Sequence, residues 1–260
     1  MNEVVLNIAF FDVNSYIGAI IVYLLLTRIF GRRITKDRLI GMALFSMIIE
    51  NIIIVMNASI LPGGVYDYYW YANHDYFSHY VLGGSLVWFG VTPLALGLGW
   101  FVVTTPIYIV VRRLLPQANI WLKAGLTALL AVMVDLVVDP VAAPINHWWT
   151  WTLESTIYII GVPLVNWVGW FVLVFCYEVI FERTLIKPGH IPLIKKLEQK
   201  TYMRKYAYNG YEIKDLPWEE KRRLYYYRLA IGVVVVILLL IPPFLLCSLG
   251  DGYSGFPQNW

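Results

Sequence analysis

Apolar residues gather along this chain into six runs, at about 14–30, 39–57, 81–111, 122–143, 156–181 and 229–247, separated by polar stretches. A helix of roughly 20 residues crosses the ~30 Å hydrocarbon layer of a bilayer. The pattern therefore predicts an all-α integral membrane protein, a single bundle of about six transmembrane helices. The third run is too long for one crossing, because its 31 residues would make a helix of about 46 Å. Gly83-Gly84, Gly90 and Pro93 predict a break there, with a re-entrant segment around 81–93 ahead of the proper span.

The cations give this bundle a direction. All 20 Lys and Arg residues lie in or beside alternate connections, five in 28–38, three in 112–123 and twelve in 183–228, while 1–13, 58–80, 144–155 and 248–260 hold none. Under the positive-inside rule both termini are expected outside and the three basic connections in the cytoplasm. Residues 1–182 and 229–260 are then the transmembrane bundle. Residues 183–228 are expected as a basic cytoplasmic loop with an amphipathic helix resting on anionic headgroups. The first apolar run lacks a preceding basic region and reads as a retained helix rather than a cleaved signal. No internal repeat is evident.

Composition agrees, and narrows the function classes. The chain is 59% hydrophobic and 14% charged, against about a quarter charged in soluble domains. The expected surroundings are lipid, and nothing points to a nucleic-acid partner. Cys176 and Cys247 sit in apolar runs ending on opposite sides and carry no disulfide or metal signal. His74, His79 and His147 match no compact ligand spacing. A Gly-rich phosphate loop and a nucleophile elbow are both missing from the sequence, which leaves nucleotide chemistry and acyl transfer without support.

Ionisable groups inside spans are the candidates for chemistry, since each costs at least ~2.5 kcal/mol to insert. Asp135 and Asp139 lie at i, i+4 on the fourth run, and Glu50 lies on the second. The spacing puts both aspartates on one helix face, where two carboxyls in a low dielectric resist ionising together and one can hold a proton. Glu50 follows Arg38 by twelve residues and Asp135 follows Lys123 by the same number, so both should sit about 18 Å from the cytoplasmic edge. The three carboxyls can thus converge if their helices are neighbours. Asn166 and Trp170, again at i, i+4, offer an amide and an indole to the same cavity. Tyr66, Trp149 and Trp151 stand in aromatic outer connections whose ring faces can line an interface or stabilise a cation.

Three stretches carry a resemblance. Asp135-Leu136-Val137-Val138-Asp139-Pro140-Val141-Ala142, then Trp149-Thr150-Trp151, then Tyr158 through Trp170 with its Gly161-Val162-Pro163 turn, resemble the core of the membrane-bound carotenoid biosynthesis protein family. That family includes bisanhydrobacterioruberin hydratases and related carotenoid 1,2-hydratases. Glu50, Gly64-Val65-Tyr66-Asp67-Tyr68 and Gly90-Val91-Thr92-Pro93-Leu94 resemble its N-terminal half, so the likeness spans roughly residues 40–180.

The resemblance implies addition of water across a terminal C=C bond of an acyclic carotenoid, giving a tertiary alcohol without any metal, nucleotide or redox cofactor. The hydrophobic polyene and the bilayer are the expected partners, with other carotenoid-pathway enzymes as possible neighbours. Asp135 or Asp139 is the expected acid, its partner with Glu50 or Asn166 the water-positioning group, and Tyr66, Trp149, Trp151 and Trp170 the substrate lining. Two other outcomes stay open on the residues alone. One is an intramembrane cyclase using the same proton-initiated cation; the other is a non-enzymatic carotenoid binder or ion carrier.

Overall fold

The computed structural model describes residues 3–59, 88–89, 92–142, 158–203 and 212–248. Its first helix, α1, runs Glu3–Ser59 with a break at Gly31, whose φ of 80° and ψ of 160° are non-helical. That backbone is open to glycine and strained for other residues. The apolar part of α1, Phe11–Ile53, has 43 residues, about 64 Å if straight and far more than a bilayer accepts.

Contacts with α2, which runs Leu94–Leu114, show that the two arms of α1 are separate crossings. On the first arm Gly18 faces Val102 and Phe30 faces Tyr108, so sequence rises together on both helices. On the second arm Arg38 bonds Thr105 while Asn51 bonds Thr92, so sequence runs in opposite directions. The arms are antiparallel, joined at Gly31. With α2, α3 (Ile120–Ala142), α4 (Leu164–Phe181, continued by a π-helical turn at Glu182–Ile186) and α6 (Trp218–Ser248), they make the multi-pass bundle that the hydropathy pattern predicts. The short α5, Lys195–Lys200, lies between α4 and α6.

Each helix presents its apolar exterior to lipid. Ile17, Ile20, Leu24, Val137 and Leu238 are exposed, as expected where the surrounding solvent is as apolar as the side chain. Inside, one continuous core joins the α1 arms, α2, α3, α4 and α6. Close approach of α6 to the second arm depends on Gly41, where a Cβ would collide with the Tyr225 hydroxyl.

The long third run breaks as its length requires. A two-residue antiparallel pair, β1 (Trp88–Phe89) with β2 (Thr92–Pro93), ends at Pro93, and α2 starts at Leu94. The re-entrant piece expected around 81–93 otherwise falls outside the described residues. The last helix begins at Trp218, eleven residues before the apolar run at 229. Its polar first turns are held by an ion pair of Arg228 with Glu198 of α5, both fully buried.

A repeat that is not evident in the sequence emerges from these elements. The pair β3 (Tyr158–Ile159) and β4 (Val162–Pro163) precedes α4 as β1 and β2 precede α2, with Trp88↔Pro93 matched by Tyr158↔Pro163. Both helices start with Leu directly after that proline and carry Gly-Trp next, at Gly99-Trp100 and Gly169-Trp170. The helix packed against each holds the acids, Glu50 on the second arm of α1 and Asp135 with Asp139 on α3. The two hairpins run in the same direction and meet at their equivalent tryptophans, whose ring centroids are 3.9 Å apart.

Candidate functional site

Helix α3 delivers its acids to the interior through a stripe of small residues. Ala124, Ala128 and Ala131 are buried, and the same face continues to Asp135, Asp139 and Ala142. Met133, Val134, Val137 and Val141 point the other way and are exposed. Spacing of three and four residues keeps the stripe on one side, and the alanines let α4 come close. Asp135 and Asp139 are 0% and 2% exposed, so their charge or proton has to be satisfied by protein.

Asn166, in the first turn of α4, supplies that contact. Its Nδ2 donates to Asp135 Oδ2 at 3.0 Å and to Asp139 Oδ2 at 2.5 Å. The two carboxyls also lie within hydrogen-bonding reach of each other. Carboxylates only accept, so a bond between the two needs a proton on one of them. Asp135 Oδ1 is buried with no partner among the described residues. Pro140, inside α3, has no N–H to give the helix ladder and leaves the Leu136 carbonyl without its usual donor, which loosens the backbone beside the pair.

Glu50 completes the group. It is 8% exposed on the second arm of α1 and close enough to act electrostatically on both aspartates. Glu50 and Asn166 share a cavity with Trp100, Trp170, Leu173 and Leu240. The space open to the centre of a water molecule there is about 20 Å³, enough for one water, which needs at least about 10–15 Å³ on that measure. The wall is otherwise apolar. The arrangement brings two aspartate carboxyls, an amide, a third carboxyl and room for a water together within the bundle.

The four polar residues singled out from sequence, Glu50, Asp135, Asp139 and Asn166, are thus brought together, with Trp170 one turn beyond Asn166. Tyr66, Trp149 and Trp151 lie outside the described residues, as do His74, His79 and His147. Trp100 was missed, since one more aromatic in an apolar run gives no sequence signal. Glu178 was missed too, although it stands inside the fifth apolar run and would have been visible as a charge at membrane depth.

Glu178 does not reach the cavity. It lies twelve residues along α4 from Asn166, about 18 Å toward the basic end. There it binds Arg38 in a two-pronged pair at 2.6 and 2.9 Å, and both side chains are almost fully buried. The guanidinium lies 4.4 Å from the Tyr108 ring centroid and 4.5 Å from that of Phe181, and donates to Thr105. Three of the five guanidinium N–H groups of Arg38 are therefore bonded, one on each nitrogen. Glu182, one turn on, bonds Tyr108.

Compared with known proteins, the sequence profile of the carotenoid biosynthesis protein family matches residues 10–208. No curated protein and no solved structure matches the chain. The profile covers the second arm of α1 and all of α2, α3 and α4, hence all four polar residues of the site, and stops before α6.

Proposed function

The chain belongs to the carotenoid biosynthesis protein family, and on that premise we propose that it hydrates a terminal C=C bond of an acyclic carotenoid. The observation that carries the reading is the bonding of Asp135 and Asp139 to Asn166, which together with Glu50 lines an otherwise apolar, water-sized cavity inside the bundle.

Hydration needs a proton and a water at the two ends of one double bond. The protonated carboxyl of the aspartate pair gives its proton to the terminal alkene; the π pair forms the new C–H bond and the adjacent carbon becomes a tertiary cation. A water held between Glu50 and the Asn166 side chain attacks that carbon, and Glu50 accepts the proton released as the C–O bond forms. The remaining aspartate proton balance is restored when Glu50 returns its proton to the pair, which lies within its electrostatic reach. No electron is gained or lost overall, and the product is one water heavier than the substrate.

Asn166 supports this division of labour, because its amide donates to the conjugate base that protonation of the alkene leaves behind. The low dielectric strengthens each of these interactions relative to water.

The test is to express the chain in cells that accumulate an acyclic carotenoid and to weigh the extracted pigment. Hydration predicts a species heavier by one water. A rearranged pigment of unchanged mass would replace this reading with cyclisation by the same cation, and unaltered pigment bound to the protein would replace it with a carrier.

A further inference from the structure

We propose that Trp100, paired with Trp170, is a catalytic residue of this site that stabilises the carbocation formed on the substrate. The inference rests on the proposed proton-initiated reaction and adds a residue and a role to it. Trp100 is 3% exposed, so it is neither a lipid-facing residue nor an interfacial anchor. It lines the same cavity as Glu50 and Asn166, and its ring lies 3.9 Å, centroid to centroid and tilted by 33°, from that of Trp170.

Two observations separate this pair from ordinary core packing. First, the two indoles occupy equivalent positions of the internal repeat, each after Gly on the helix that follows a two-stranded turn, so both halves place the same side chain at the same point. Second, both indoles line the cavity to which Glu50 and Asn166 contribute its polar lining, whereas Trp167, equally buried, does not.

The chemistry demands such a wall. A tertiary cation beside a bare carboxylate is captured by it as an ester, or loses a neighbouring proton to give a shifted alkene. An indole face carries negative potential without a lone pair that readily bonds to carbon, and tryptophan is the strongest of the aromatic side chains in this role. Because the two rings stack on each other, the pair holds the positive charge against an outer indole face while water, positioned by Glu50 and Asn166, reaches it.

The experiment uses two ligands with one carbon skeleton, an isoprenoid ending in a dimethylammonium group and the hydrocarbon ending in isopropyl. The first carries a positive charge where the cation would form; the second has the same shape and no charge. Binding of each is measured by displacement of the tritiated amine from the full-length protein in nanodiscs, without turnover. Trp100→Leu should weaken the amine by between about 2- and 30-fold, the range of a cation–π contact, and leave the hydrocarbon unchanged. Trp100→Phe, which keeps a ring and the fold, should show a smaller loss of the same sign. Trp167→Leu, at a buried indole outside the cavity, should change neither.

Unchanged amine affinity in both Trp100 variants, or equal weakening of amine and hydrocarbon, would overturn the proposal and leave Trp100 a packing residue. Because the readout is binding, it is independent of whether the pigment gains water: selective amine loss together with an unhydrated pigment would sink the hydratase reading while keeping Trp100 as a cation-binding residue.

Discussion

Asn166 connects two things that are separate in the sequence, the acidic pair on α3 and the cavity between the hairpins. Its two bonds to the aspartates were foreseeable in kind, because an amide at the depth of buried carboxyls has few other partners. The acids themselves were legible for the same reason: a charge in an apolar run stands out, and an i, i+4 spacing fixes its face. Arg38 and Glu178 were harder to read. Arg38 closes a basic connection and looks like a marker of the membrane edge, yet it is fully buried against Glu178. Nothing local indicates a partner 140 residues away. Removing one member leaves the other charge buried and unpaired, so Glu178→Ala is expected to destabilise the bundle by about 3–5 kcal/mol. Thermal unfolding in detergent checks this, and Glu178→Ala with an unchanged melting temperature would mean that water reaches the guanidinium.

Among the elements, helix existence was clear from hydropathy, whereas helix ends and partners were not. Gly31 turns what reads as continuous helix into two crossings, an effect of one residue's backbone that periodicity cannot register. The repeat escaped notice because its shared positions are few, a proline, a leucine and a Gly-Trp step, spread over otherwise interchangeable apolar residues. Only the paired strands and the meeting of Trp100 with Trp170 make it visible. Helix α6 lies beyond the residues that the family profile covers, yet it supplies Leu240 to the cavity wall. Leu240 is 2% exposed, and Pro242 and Pro243 interrupt the helix ladder just after it. A tryptophan there is larger than the space available. Leu240→Trp is therefore expected to lower turnover at least about tenfold, or ~1.4 kcal/mol of barrier, with normal amounts of protein in the membrane. Wild-type turnover would mean that substrate does not approach from the α6 side.

The whole molecule is a membrane bundle whose two ends differ. The basic connections, the buried Arg38–Glu178 pair and the Arg228–Glu198 pair all lie at one end, and the acids and the cavity lie toward the other. The positive-inside rule, applied to the basic connections, predicts that a reporter active only outside the cytoplasm works when fused after Trp260 and fails when fused near Lys200. Activity at both points would put them on one side and break the alternation.

Acid-initiated hydration is tested by product formation in heavy-oxygen water, with membranes holding matched amounts of the wild-type chain, Asp135→Asn or Asp139→Asn. An amide keeps the size of the carboxyl and much of its hydrogen bonding but has no acidic proton to give. Expected are a heavy oxygen in a new tertiary hydroxyl for the wild type and a fall of at least about 100-fold in each variant, the low end of what a positioned acid contributes. An unlabelled product from the wild type, or full labelling by both variants, would contradict it.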